Sequence, residues 1–289
     1  MHPMLTANKS EPLTSKMTSK KVVELFYDVV SAYSWLSFEV MCRYRNVWNI
    51  DLKLRPAFLG GIMQGSGNKP PVLVPNKFMY MSKDLRRLSG YFGVPLQFPS
   101  DAFEVLFNKE NAPITENPPC SQSVTAACVC PSEAQWQEQS VNGGVKDGHK
   151  KVFQESSLSA MRFVAAIQER EKGGDQQVEK VSRELWRRIW SEDKDITEPK
   201  SLSEAGRKAG LSDNEIEEAL VLSTSKEIKD KLKSTTQFAL DNGAFGFPML
   251  VCHVDGKPEM FFGSDRFELM AHCIGEKWVG PQPNTSARL

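Results

Sequence analysis

No stretch of the chain approaches the ~20 consecutive apolar residues that cross a bilayer, and neither charge sign is in excess, since Lys+Arg and Asp+Glu both number 36. The first lack excludes a membrane-spanning helix. The second removes any global field that would recruit nucleic acid or anionic lipid. Only 4 histidines occur in 289 residues; His253 and His272 stand without metal-ligand spacing, and no Ser/His/Asp order or Gly-rich phosphate loop is present. The 6 cysteines (Cys42, Cys120, Cys128, Cys130, Cys252, Cys273) are scattered, and Cys128-x-Cys130 with Cys120 and His149 matches no zinc module. With no secretory signal visible, reduced thiols in an intracellular compartment are expected. What is present is ordinary for a globular protein: 40% apolar and 25% charged residues, in a chain long enough for one large domain or two small ones.

Val22–Tyr27 reads as a buried strand, Trp35–Arg45 as an amphipathic helix with Leu36, Val40 and Tyr44 on one face, and Ile50–Arg55 as a half-buried alternating strand. Together they predict a right-handed βαβ unit. Gly60 to Pro75, rich in Gly and Pro, predicts a loop. Helical periodicity then covers roughly 79–93, 157–172, 177–192, 201–209, 212–222 and 225–241, the last stopped by Gly243. Phe247–Cys252, the turn Asp255-Gly256 and Glu259–Phe262 predict a hairpin. Asp265–Gly275 predicts a terminal helix with Ser264 as N-cap. The fold class is therefore α/β, a thioredoxin-like domain with a large all-helical domain inserted between its βαβ and ββα halves. The expected divisions are a leader at 1–20, halves at 21–75 and 243–278, a helical domain at 76–242, and a tail at 279–289. Residues 110–155, poor in apolar periodicity, read as a disordered insert.

Ser31-Ala-Tyr-Ser34 occupies the junction where thioredoxin-like oxidoreductases carry Cys-x-x-Cys, and both sulfurs are replaced by oxygen. A serine there makes no disulfide, but its hydroxyl and the helix N-terminus stabilise another molecule's thiolate. That points to a glutathione site. Ser34 is expected to cap the helix, and Asp28 to be a structural residue.

The chain resembles the kappa class of glutathione transferases. The likeness is carried by Val23–Val29 with Ser31-x-Tyr-Ser-Trp35, Leu54-Arg-Pro56, Gly61-Ile-Met63 and Ser66–Pro71. It continues through Ser157–Phe163, Arg183-Glu-Leu-Trp186, Ile196–Pro199, Gly243–Gly246 with Pro248, and Phe262–Arg266. It covers about 20–109 and 156–289. Ala32 stands where the family usually has proline, Phe247 where it commonly has leucine, and 110–155 has no counterpart.

The resemblance implies that Ser31 is catalytic and that Ala32 and Tyr33 join it in the glutathione site. It implies a cis peptide at Pro248, leaving the Phe247 backbone to pair with the cysteinyl backbone of glutathione. Ser264 and Asp265 would take the γ-glutamyl end, with Arg266 as a weaker contact. Asn68 would reach the glycyl end and Lys77 its carboxylate. Tyr33, Trp35 and Met63 are candidates for the electrophile pocket.

The implied function is glutathione conjugation to small hydrophobic electrophiles, for detoxification, by a homodimer that needs no metal or cofactor beyond glutathione as co-substrate. Two alternatives stand beside it: a glutathione-dependent isomerase of the 2-hydroxychromene-2-carboxylate type, and a non-enzymatic thioredoxin-like chaperone or binding module. The closing Ala287-Arg-Leu289 fits a variant peroxisomal address. The Ser/Thr/Lys-rich leader, with Met17 as an alternative start, leaves the mitochondrial matrix as the other expected compartment.

Overall fold

Strand β1 (Lys21–Tyr27) is buried along its last five residues because it has a neighbour on each side in a sheet of order β2-β1-β3-β4. This computed structural model describes residues 19–98, 157–171, 174–254 and 256–283. β2 (Ile50–Pro56) runs parallel to β1, joined to it through helix α1 (Ala32–Tyr44). β3 (Met249–Val254) runs antiparallel to β1, and β4 (Lys257–Phe262) closes the edge against β3. The βαβ and ββ parts expected from the sequence therefore share one sheet, although more than 190 residues separate β2 from β3.

Between the halves lie α2 (Leu59–Ser66), a 3-10 turn at Pro71–Leu73, α3 (Pro75–Phe92), α4 (Leu158–Arg170) and α5 (Gln176–Trp190). α6 (Pro199–Lys208), α7 (Asp213–Ser223) and α8 (Lys226–Asp241) follow, and α9 (Phe267–Ile274) comes after the hairpin. The start of α3 at Pro75 uses proline where the first-turn N–H has no helical partner anyway. Residues 1–18 of the leader, including Met17, and Asp255, Cys120, Cys128, Cys130, His149, the 110–155 segment and Ala287–Leu289 lie outside the described residues.

The structure corrects the loop expected over Gly60–Pro75, since its first part is helix α2. Glycines lower helix propensity, but here they admit a neighbouring helix. A Cβ on Gly65 would lie 2.6 Å from Leu240 Cδ1, and one on Gly61 would lie 3.0 Å from Thr236 Cγ2. Close packing of α2 on α8 outweighs the propensity cost.

Helix α5 docks on the sheet side occupied by α1. Trp186 is fully buried among Tyr27, Phe38 and Trp35, its ring parallel to that of Trp35 at 6.3 Å between centroids. The Tyr27 and Ser182 hydroxyls hydrogen-bond at 2.8 Å, and Arg183 donates to Glu39 at 2.7 Å. On β1, the buried Glu24 accepts from Arg55 Nε at 2.7 Å and pairs with His253 Nε2 at 2.9 Å. The two flanking strands thus supply partners for one interior carboxylate. His253 has a partner within the sheet.

Candidate functional site

Ser31 is the N-cap of α1, in extended conformation (φ −90°, ψ 113°), and its Oγ accepts the Ser34 N–H at 3.1 Å. The expected cap at Ser34 is thereby corrected. Ser34 lies inside the first turn of the helix, its hydroxyl without a hydrogen-bond partner among the described residues, because the chain turns helical directly after Ser31. Ser31 is held on every side. Its N–H donates to Asp28 O at 3.0 Å, and its carbonyl accepts Trp186 Nε1–H at 3.1 Å. Its hydroxyl donates to Phe247 O at 3.3 Å.

That last bond is long for O–H···O and therefore weak. With one Oγ lone pair occupied by Ser34 N–H, the hydroxyl proton is what Ser31 can offer to an incoming anion. The partial positive charge at the start of α1 acts in the same direction.

The Phe247–Pro248 peptide is cis, as the resemblance implied, and Phe247 O is the acceptor of the Ser31 hydroxyl. Pro248 O accepts from Gly263 N–H at 3.0 Å, which brings the Gly263–Asp265 turn alongside. Opposite, Asn68 Nδ2 donates to Phe245 O at 2.7 Å, closing the turn after α2 over the strand entry. These segments surround one cleft of about 1090 Å³. Of the sequence-derived candidates, Ser31, Ala32, Tyr33, Asn68, Lys77, Phe247, Pro248, Ser264 and Asp265 all line it. Lys77 is exposed there and makes no ion pair among the described residues.

Arg266 is the exception. It does not line the cleft, and its guanidinium pairs with Asp265 at 3.3 Å. It is also the N-cap of α9, so the cap expected at Ser264 is corrected. Ser264 belongs to the turn between β4 and α9, buried against the cleft and outside the helix. Trp35 is corrected as well: its ring is core, 1% exposed and stacked on Trp186, because it falls on the helix face toward α5. Met63 lines the cleft from α2.

Asp84 and an aromatic wall lacked a readable pattern in the sequence. Tyr33 donates its hydroxyl to Asp84 Oδ2 at 3.2 Å, and burial with the nearby Asp84 charge holds the phenol far above its ordinary range, hence neutral. Tyr80, Tyr91, Phe92, Phe267 and Trp278 also line the cleft, from α3, α9 and the segment after α9. None of the described cysteines lines the cleft. Burial pushes the Cys252 thiol up to about 12 and the Cys42 thiol higher still.

A family model described as a DSBA-like thioredoxin domain matches residues 22–115 and 134–275. Glutathione S-transferase kappa 1 of Homo sapiens is 42% identical over 270 residues, 93% of this chain and 98% of that protein. Glutathione S-transferase kappa 1 of Rattus norvegicus is 43% identical over the same shares. Among solved structures, a 2-hydroxychromene-2-carboxylate isomerase superposes with TM-score 0.56 at 16% identity, over 88% of this chain and 94% of its own. This last likeness shows the fold alone.

Proposed function

The chain belongs to the kappa class of glutathione S-transferases, within the DSBA-like thioredoxin family, and on that premise we propose that Ser31 activates the glutathione thiol for transfer to a small hydrophobic electrophile. The observation that carries the reading is the Ser31 hydroxyl, fixed as an N-cap and weakly engaged by Phe247 O at the floor of the cleft.

A free thiol titrates near ~8.5, so little glutathione is thiolate at neutral pH. Bound glutathione takes the place of Phe247 O as acceptor, and the Ser31 hydroxyl donates to sulfur. A charge-assisted bond of about 1.5–3 kcal/mol lowers the thiol pKa by about one to two units. The thiol proton passes to water. The sulfur lone pair forms the C–S bond as the leaving group departs with its electron pair, or adds across an activated double bond.

The Phe247 backbone suits the cysteinyl unit, and Ser264 with Asp265 the γ-glutamyl end. Asn68 and Lys77 suit the glycyl carboxylate. The aromatic side chains lining the cleft suit the electrophile, and the proposal includes a homodimer.

Calorimetric titration with glutathione at neutral pH tests the site, on wild type and on Ser264→Ala/Asp265→Ala. Micromolar to millimolar binding that the double variant loses supports it. No binding by the folded wild type would overturn it.

A further inference from the structure

Asp28 stands outside the chemistry proposed above, yet the Ser31 turn, α2 and the start of α4 all bond to it. Its carboxylate is fully buried at the end of β1. Oδ1 accepts the Val30 N–H at 3.0 Å, an Asx-type turn that shapes the backbone just before Ser31. Oδ2 accepts two donors at 2.8 Å each, the Leu59 N–H and the Ser157 hydroxyl. Its main-chain oxygen accepts the Ser31 N–H at 3.0 Å.

These donors come from three parts of the fold, the Ser31 turn, α2 and the start of α4, of which the first two line the cleft. Leu59 is the first residue of α2, whose N-cap Phe58 supplies no side-chain cap, so Asp28 acts as that cap from another element. Along α2 and the turn after it, Leu59, Met63, Ser66 and Asn68 form one wall of the cleft. Ser157 is the N-cap residue of α4, the first described helix after α3. The Ser31 turn, the α2 wall and the start of α4 are therefore registered on a single side chain.

We infer that Asp28 is the positioning residue of the transferase site, its carboxylate fixing the Ser31 turn against α2 and α4 so that the hydroxyl is aimed at the glutathione sulfur. This rests on the proposed role of Ser31. A carboxylate is needed because it offers lone pairs on both oxygens and no donor. An asparagine in the same place has one accepting oxygen. Whichever way its amide is turned, an N–H of Val30 or Leu59 faces an NH₂ group. The turn or the α2 wall must then shift, and a hydroxyl displaced by a fraction of an ångström no longer meets the sulfur in line.

The test is the pH titration of bound glutathione by ultraviolet thiolate absorbance, with kcat and KM, in wild type, Asp28→Asn and Ser157→Ala. Folding is checked by circular dichroism and cooperative melting. A folded Asp28→Asn is expected to raise the bound-thiol pKa by about one unit, a tenfold loss of thiolate below that pKa. Its kcat should fall more than its KM rises. Ser157→Ala, which removes one donor and keeps the carboxylate, should shift the pKa in the same direction by less. A folded Asp28→Asn with wild-type thiol pKa and kcat would overturn the inference. Should Asp28→Asn not fold, an unshifted thiol pKa in Ser157→Ala overturns it instead. A wild type whose bound thiol titrates like free glutathione defeats the Ser31 reading itself, which separates the two failures.

Discussion

Trp186 donates its indole N–H to the Ser31 carbonyl oxygen at 3.1 Å, across 155 residues of sequence. A side chain of the helical segment is thereby bonded to the residue that starts α1. Trp186→Phe keeps an aromatic ring beside Trp35 and removes that donor. The expected cost is about 1–3 kcal/mol of stability, with a lower kcat from a less firmly held turn. Chemical denaturation and steady-state kinetics measure both, and a variant of wild-type stability would show that the bond contributes nothing.

Ser31→Ala should fold. It loses the cap on the Ser34 N–H, worth about 1 kcal/mol, and it loses the only group proposed to donate to sulfur. The melting temperature should drop slightly while the pKa of bound glutathione rises toward the free value. Unchanged catalysis and thiol pKa would remove Ser31 from the mechanism.

Burial raises the Asp28 carboxyl from its ordinary 3.8 to about 6, against the lowering effect of its three donors. Because the folded value lies above the unfolded one, its contribution to stability is fully present below about pH 3.8. That contribution is lost as pH rises through about 6. The difference amounts to roughly 3 kcal/mol. Asp28→Asn should therefore show a flatter dependence of unfolding free energy on pH between these values than wild type. Parallel curves for the two proteins would contradict the assignment.

Gly65→Ala places a methyl 2.6 Å from Leu240 Cδ1, where α2 crosses α8. Overpacking of this kind costs about 1–3 kcal/mol. Because α2 is a wall of the cleft, glutathione affinity should weaken together with stability. Gly67→Ala is the informative contrast: its φ of +72° strains an alanine, but no atom lies within 4 Å of the added Cβ. Thermal melts and glutathione titration of the two variants separate crowding from backbone strain.

Much of the fold was legible in the chain because its signals are local. The run Val22–Tyr27, the alternation of Ile50–Arg55 and the helical periodicity of the later segments each report their own burial. The strands came out within two residues and the helices within about four. Where glycines dominated, at α2, the local signal pointed to a loop, since the compensating contact with Leu240 comes from 175 residues away. The caps followed the same division. Ser31, Ser34, Ser264 and Arg266 are all chemically able to stand at a helix start, and only the direction in which the chain turns selected Ser31 and Arg266.

The sequence by itself determined the kind of chemistry: a serine in place of a redox sulfur at a strand-to-helix turn, and motifs whose order assigns the family. Tertiary structure alone decided which residues share the cleft. It turned Trp35 into the core and Arg266 away, and brought Asp84 and the aromatic wall in. It also gathered Val30, Leu59 and Ser157 onto Asp28. The physical reason is that residue type and spacing record a side chain's own polarity and periodicity. The partners of a buried carboxylate or an indole N–H are set by elements whose separation in sequence carries no such record.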